Sequence, residues 1–263
     1  MKIAIFYHHV LKAAEQTGKS VAEILRILKE EGLEGMDINA PDADEALLNI
    51  LQNTGVTVSS LYRVVPVFSG ETEKGIQLVD KAAEIGCKTV MLLPGGFPAE
   101  MTKKTAREKS AEALRIISEY GDGKGVCVTV EDYDSERTLF GTSEDMLFFD
   151  KIVPKLYYTY DSGNFYTVED PLAALDALKG KIRHVHLKDY AHVPTQFGQK
   201  ARTVRTGKVL YDAPFGYGSL PAKEIVKRLK ESGYEGYMCI EHTDAEKMMD
   251  ANIAAIRYIH ANF

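Results

Sequence analysis

The chain is poor in cysteine, has no excess of positive charge and contains no long apolar run. Its 263 residues include 3 cysteines, and 32 Lys and Arg stand against 38 Asp and Glu, for a formal net charge of -6. Cys87, Cys127 and Cys239 form no C-x-x-C pair, so we interpret them as small buried residues in a reducing compartment. The negative charge gives no bulk attraction to nucleic acid or anionic lipid.

Targeting and membrane segments are also lacking. No apolar run approaches the roughly 18 residues of a membrane span, and the N-terminus has neither a long apolar signal region nor a small-residue cleavage site. We therefore expect a cytoplasmic protein with no membrane and no nucleic-acid partner. A composition of 45% hydrophobic and 27% charged residues is that of a soluble protein with a large core.

Eight apolar runs alternate with helical patterns along the whole chain. Most runs are continuous rather than alternating, which is typical of a parallel sheet covered on both faces. The predicted strands are Ile3–Tyr7, Glu34–Ile38, Val56–Tyr62, Lys88–Leu93, Val126–Val130, Leu156–Tyr160, Ile182–Leu187 and Gly236–Ile240. No G-x-G-x-x-G follows the first strand, which argues against an open dinucleotide-binding sheet. We predict one closed (β/α)8 TIM barrel over residues 1–263, a typical length for this fold.

Each of the last four predicted strands ends in one acid or imidazole. These side chains are Glu131, Asp161, His186 and Glu241. Equivalent strand ends of a parallel barrel converge at one mouth, where active sites are built. Three carboxylates and an imidazole would repel strongly there without a cation. The pattern therefore predicts one divalent metal ion in an oxygen and nitrogen shell, with Mn²⁺ preferred and Mg²⁺, Co²⁺ or Zn²⁺ also allowed.

Each of the four residues also has a purely structural interpretation. Glu131 could cap a helix, and Asp161 could begin the turn Asp-Ser-Gly-Asn. His186 could be a hydrogen-bonded core imidazole, and Glu241 could pair with Lys188 or an arginine. Because all four interpretations would have to hold at equivalent strand ends, we prefer the metal site.

Several segments resemble the xylose isomerase-like TIM-barrel superfamily of sugar and sugar-phosphate isomerases and epimerases. They are Val130-Glu131, Tyr160-Asp-Ser-Gly-Asn164, His184-Val-His-Leu-Lys-Asp189, Pro214-Phe-Gly-Tyr-Gly218 and Ile240-Glu241. The resemblance spans essentially the whole chain and implies that the same four residues hold the metal. It also implies that Glu131 and Glu241 exchange protons with the substrate. Many members have Asp-x-Gly-His where this chain has Asn164, and the Asp-x-Gly-Asn pattern is similar to L-ribulose/L-xylulose-5-phosphate 3-epimerase-like members.

The resemblance implies isomerisation or epimerisation of a ketose or its phosphate. In this chemistry a divalent cation stabilises an enediolate while carboxylates move the proton. A lyase or dehydratase acting on an oxo-sugar or a related hydroxy-keto acid would use the same metal site. An endonuclease IV-like phosphodiesterase needs several more histidine ligands and fits the negative charge poorly. A barrel that only binds a ligand is the remaining alternative.

Residues 190–217 have no clear strand or helix pattern and are expected to form a substrate lid. The segment carries the cations Lys200, Arg202, Arg205 and Lys208. They could bind a phosphate or an acidic sugar, or they could simply offset an acidic surface. Gly216 and Gly218 could present backbone N–H groups to an anion, or they could form an ordinary tight turn.

Further polar residues at predicted strand ends are candidate substrate contacts. They are His8, His9, Arg63, Asn164 and Lys188. Tyr133 and Phe165 are candidate pocket walls, although aromatic residues in such places more often pack in the core. The expected partner is a small sugar or sugar phosphate, and a homo-oligomer is compatible with the chain.

Overall fold

The computed structural model describes residues 1–198, 201–243 and 245–263, and it confirms the closed parallel barrel. The barrel strands are β1 (Lys2–Phe6), β2 (Gly35–Asn39), β3 (Thr57–Val64), β4 (Thr89–Leu93), β5 (Cys127–Glu131), β6 (Leu156–Asp161), β7 (Ile182–Leu187) and β11 (Tyr237–Ile240). Their order around the barrel is β1-β11-β7-β6-β5-β4-β3-β2, and β1 pairs with both β11 and β2. The carboxyl ends of all eight strands therefore face one mouth.

Helices separate the barrel strands along the chain. They are α1 (Tyr7–Thr17), α2 (Val21–Glu30), α3 (Glu45–Thr54), α4 (Glu73–Glu84), α5 (Lys103–Lys124), α6 (Ser143–Asp150), α7 (Ser162–Val168), α8 (Pro171–Leu178), α9 (Ala222–Glu231) and α10 (Met248–Asn262). Short 3-10 turns lie at Ala40–Asp42 and Val67–Ser69. Within the described ranges, no helix is both long and apolar enough to cross a membrane.

Local sequence explains most of these boundaries but not all of them. The Ser20 hydroxyl accepts the Glu23 N–H while the Glu23 carboxylate accepts the Ser20 N–H, so a capping box begins α2. Helix α5 continues past Gly121, where a glycine stop is expected from sequence. A Cβ at Gly121 would lie 2.6 Å from the Val128 side chain, so the glycine instead lets α5 pack closely on β5.

The segment after β7 is more regular than its sequence predicts. It contains β8 (Asp189–Ala191), β9 (Ala201–Thr203) and β10 (Val209–Ala213), which form an antiparallel sheet in the order β8-β10-β9. The prediction of an irregular stretch over 190–217 is therefore wrong for these residues. The strands are only three to five residues long, which is why no alternating pattern was visible. That this segment acts as a lid stays a prediction.

Two different cores lie on the two sides of the barrel wall. Apolar residues of strands and helices form one large cluster between the barrel and its helical layer. Inside the barrel, only a small apolar cluster of Ala4, Phe6 and Cys239 is present in the described part of the chain. Buried polar groups also lie there: Thr129 and Thr159 share a hydrogen bond of 2.8 Å, and both are buried. The barrel interior is therefore suited to charged groups near the mouth.

Candidate metal centre

Glu131, Asp161, His186 and Glu241 meet at the carboxyl ends of β5, β6, β7 and β11, which are neighbours in the barrel. One ligand atom of each side chain lies within 4.8 Å of the ligand atoms of the other three. Asp161 and His186 are paired in register across β6 and β7. We call these four residues the acid–imidazole group.

His186 is fully buried and uses both ring nitrogens. Its Nδ1 contacts the Glu131 carboxylate and lies 3.3 Å from Oε2 of Glu241, whereas Nε2 lies 3.2 Å from Oδ2 of Asp37. Burial alone would lower the pKa of His186, but these carboxylates outweigh burial and raise that pKa well above its usual range. The ring therefore supplies positive charge among the acids.

Lys188 supplies a second positive charge inside the group. Its Nζ lies 2.9 Å from Oδ2 of Asp161 and 2.7 Å from Oε1 of Glu241. It also donates to Oδ1 of Asn164 at 3.2 Å. A Cβ at Gly163 would lie 2.7 Å from the lysine stem, so the glycine leaves room for this buried side chain. The sequence suggested Lys188 both as a candidate substrate contact and as a partner of Glu241. The structure confirms the ion pair with Glu241 and places the ammonium against Asp161 as well.

Asp161 is held by backbone groups as well as by charge. Its Oδ1 accepts N–H hydrogen bonds from Gly163 at 2.7 Å and Asn164 at 2.9 Å, so it also caps α7. Burial raises the pKa of Asp161 to about 7, and Lys188 opposes this shift. Its backbone N–H donates to Asp132, a buried acid that sequence reasoning missed. Burial, and then the charge of Asp161, raises the pKa of Asp132 well above its usual range.

The donor set of this group fits a divalent cation. Three carboxylates and one imidazole nitrogen form the mixed shell that Mn²⁺, Mg²⁺, Co²⁺ and Zn²⁺ accept. Oδ2 of Asp161 is buried without a hydrogen bond in the described residues, although the Lys188 charge lies beside it. An acid oxygen in this state is available as a ligand.

The two histidines that follow β1 have different surroundings. α1 begins at Tyr7, so both lie in its first turn rather than on a strand end. His9 is fully buried; its Nδ1 lies 3.0 Å from Oδ1 of Asn252, and its Nε2 accepts the His242 N–H at 3.1 Å. Both of its nitrogens are thus bound within the protein, where they tie α1 to α10. His8 remains exposed.

Three further candidates also differ in their placement. The Arg63 guanidinium donates to Gln77 of α4 at 3.4 Å, toward the helical layer. Phe165 is fully buried and stacks on Tyr160 with ring centroids 5.3 Å apart, so it belongs to the core. Tyr133 lines a cavity of about 360 Å³ that opens beside Glu131. The cavity is lined by Val64, Leu93, Pro94, Gly95, Gly96, Glu131, Tyr133, Ser135, Thr138 and Phe140.

Two cations of the 190–217 segment, Arg202 and Arg205, have protein partners. Arg202 donates to the Tyr190 hydroxyl at 2.9 Å, and the Arg205 Nε lies 3.4 Å from a carboxylate oxygen of Asp134. Lys200 lies outside the described residues. Arg202 is half-buried and Arg205 is exposed. Among the described residues, neither side chain contacts the acid–imidazole group.

The glycine turn before α9 already binds an acid. The N–H groups of Gly216 and Gly218 both donate to Oδ2 of Asp189 at 3.0 Å. Oδ1 of Asp189 accepts the N–H groups of Leu220 and Tyr190. Of the two interpretations, an anion site or an ordinary turn, the structure supports the turn. The N–H groups of Gly216 and Gly218 are bound to Asp189 and are not open to an external anion. Only the position of Asp189 at the end of the His-Val-His-Leu-Lys-Asp segment hinted at this contact.

Fold and site together define a (β/α)8 barrel with a candidate divalent-metal centre in its mouth. The sequence profile of the xylose isomerase-like TIM barrel family matches residues 13–259, so the chain belongs to this family.

Among known proteins, the chain is similar to an inosose dehydratase of Clostridium beijerinckii. The two are 28% identical over 149 residues, which cover 54% of this chain and 45% of that protein. The chain thus spans less than half the length of the curated relatives it matches.

Solved structures show the same fold at low identity. The probable 3-DHS dehydratase AsbF of Bacillus anthracis has a TM-score of 0.75 and 18% identity, with 99% of each chain covered. D-psicose 3-epimerase of Clostridium cellulolyticum H10, solved with D-tagatose, also has a TM-score of 0.75, at 16% identity, with 100% of this chain and 99% of that chain covered.

Proposed function

We propose that the protein is a divalent-metal-dependent enzyme that transfers a proton beside the carbonyl of a sugar, a sugar phosphate or a related hydroxy-keto compound. One observation carries this proposal. In the acid–imidazole group, the side chains of Asp161 and His186 are 0% exposed, whereas those of Glu131 and Glu241 are 11% and 19% exposed. The two glutamates are thus the members that a substrate in the mouth can touch.

The four side chains divide into two roles. Asp161 and His186 would anchor the ion from below, and Glu131 and Glu241 would complete its shell from the mouth. When bound, a divalent cation stabilises negative charge that develops on the substrate oxygen. Glu131 follows β5 and Glu241 follows β11, with β6 and β7 between them. The two carboxylates therefore approach a substrate from different sides, so that one can remove the proton and the other can return it.

Isomerisation or epimerisation is the leading form of this proposal, because two glutamates on different sides suit removal and return of a proton. Dehydration is the second form, and the similarity to an inosose dehydratase favours it. A dehydration also needs an acid for the departing hydroxyl group. The Lys188 ammonium lies 2.7 Å from Glu241 and is a candidate for this role, although, against the effect of burial, the charges of Asp161 and Glu241 raise its pKa well above the usual range.

The test is turnover of a substrate panel in deuterated solvent. Ketoses, ketose phosphates and inososes are incubated with the Mn²⁺-loaded protein and with protein stripped by a chelator. A product of equal mass that carries solvent deuterium supports isomerisation or epimerisation, and loss of water supports dehydration. Absence of both reactions, and of deuterium exchange into any substrate, would contradict the proposal once metal binding is shown.

A further inference from the structure

A second group of buried polar side chains lies beneath the acid–imidazole group and shares His186 with it. Its other members are Asp37 on β2, Ser59 on β3, His184 on β7 and Cys239 on β11. Asp37, His184 and His186 are all 0 to 1% exposed. Buried polar groups at this depth are costly unless each one is bonded.

Direct hydrogen bonds, rather than a second ion, account for the contacts around Asp37. Nε2 of His184 lies 2.7 Å from Oδ2 of Asp37, and the Ser59 hydroxyl donates to Oδ1 at 2.5 Å. Two ligands of a tetrahedral ion with bonds of about 2.0–2.1 Å lie about 3.3 Å apart. The observed 2.7 Å between His184 Nε2 and Asp37 Oδ2 is shorter than this, so the ring of His184 donates to the carboxylate directly.

The same carboxylate reaches His186 on the side away from the mouth. Oδ2 of Asp37 lies 3.2 Å from Nε2 of His186, whereas Nδ1 of that ring faces the two glutamates. The Phe6 ring packs edge-on against the imidazole with centroids 4.8 Å apart. The orientation of the His186 ring is thus held by Phe6 on β1 and Asp37 on β2. These strands do not carry any member of the acid–imidazole group.

We propose that Asp37 is a positioning residue for the metal centre. By accepting the Nε2–H of His186, it would keep the proton on that nitrogen when a cation displaces the proton of Nδ1, so that the Nδ1 lone pair points at the cation between the two glutamates. Ser59 and His184 hold the carboxylate of Asp37 in place for this contact. This inference rests on the proposed function only in requiring that the acid–imidazole group binds a divalent ion.

The first test is metal affinity, measured by titration of Mn²⁺ with detection of the free ion by electron paramagnetic resonance. We expect Asp37→Leu, which has no oxygen to accept the Nε2–H, to raise the Kd about 10–100-fold, the usual effect of removing a partner of a metal-bound histidine. Thr129→Val is the matched control, because it removes a buried hydrogen bond inside the same barrel without touching His186. It should leave the Kd near the wild-type value.

The second test needs no variant. In the Zn²⁺-loaded wild-type protein labelled with ¹⁵N-histidine, His186 should bind the ion through Nδ1 and show a slowly exchanging proton on Nε2. Coordination through Nε2, or an unchanged Kd in folded Asp37→Leu, would overturn the inference while leaving the proposed function intact. If wild-type protein binds no divalent ion, the metal-dependent function and this inference both fall.

Discussion

At the residue scale, the four members of the acid–imidazole group are not equivalent. Asp161 and His186 are enclosed by protein, whereas Glu131 borders the 360 Å³ cavity. Loss of a buried ligand should mainly affect metal binding. Loss of an acid that faces the cavity should mainly affect the chemical step.

The glutamates give the sharpest residue-scale prediction. Glu131→Gln and Glu241→Gln should each lower kcat by at least about 100-fold, because an amide keeps an oxygen for the metal but cannot take a proton. His186→Ala should instead weaken metal binding, with partial recovery of activity in excess metal. Steady-state rates measured with elemental analysis of each variant check this. Full solvent-proton exchange in metal-loaded glutamine variants would show that the acid–base pair lies elsewhere in the mouth.

Lys188 would compete with a bound metal ion for the same oxygens. Its ammonium contacts Asp161 and Glu241, so a cation must displace or share these contacts. We expect Lys188→Met to tighten Mn²⁺ binding about tenfold, equivalent to about 1.4 kcal/mol. Without metal the variant should lose about 3–5 kcal/mol of stability, because buried acids lose their partner.

Calorimetric titration and chemical unfolding measure these two effects of Lys188→Met. Lys227→Met, a change at an exposed lysine on α9, is the control and should leave both quantities unchanged. Weaker metal binding in Lys188→Met would mean that the lysine is needed to hold the ligands in position.

At the element scale, the β8–β10 sheet carries the arginines that were expected to bind an anion. Arg202 contacts a buried tyrosine hydroxyl, whereas Arg205 is exposed and only loosely paired at 3.4 Å. The two arginines thus differ in how accessible their guanidinium groups are to a substrate. Arg205 is the more exposed of the two arginines and can reach a ligand, but the Asp134 side chain is only 3% exposed, so a ligand would have to compete with this ion pair.

We therefore expect Arg205→Ala to raise the KM of a phosphorylated or acidic substrate about 10-fold, with little change for its neutral analogue, because one charge-assisted hydrogen bond contributes about 1.5 kcal/mol or more. Arg202→Ala should additionally lower thermal stability, because it leaves Tyr190 without this donor. The measurement is KM for matched charged and neutral substrates. An unchanged KM in both variants would mean that the segment offsets surface charge and does not bind substrate.

At the scale of the whole molecule, one ion would link strands β5, β6, β7 and β11. Such cross-linking stabilises the folded state only, since the four ligands are far apart in the unfolded chain. At a free metal concentration of 100 times Kd, the gain is about 2.7 kcal/mol. For a chain of this size, we expect a rise in Tm of about 5–10 °C.

Thermal unfolding with and without Mn²⁺, Mg²⁺, Co²⁺ and Zn²⁺ checks the whole-molecule prediction and ranks the metals. His186→Ala is the control, because it removes one ligand from β7. An equal rise in Tm for this variant would place the stabilising ion outside the acid–imidazole group.

The sequence by itself determined the barrel and pointed to the acid–imidazole group, for one physical reason. Parallel strands buried on both faces are continuous apolar runs, so the residue that ends each run is visible without any structure. Glu131, Asp161, His186 and Glu241 were found in this way. The short β8, β9 and β10 strands were not, because three to five residues carry too little pattern.

Only the tertiary structure decided which groups compensate the charges of the acid–imidazole group. Asp37 reaches His186 through the barrel interior, Lys188 bridges Asp161 and Glu241, and Asp189 occupies the turn N–H groups. No local spacing encodes these contacts, since each one depends on side-chain direction and on strands distant in sequence. A buried charge selects its partner by distance in space, and that distance exists only once the barrel has closed.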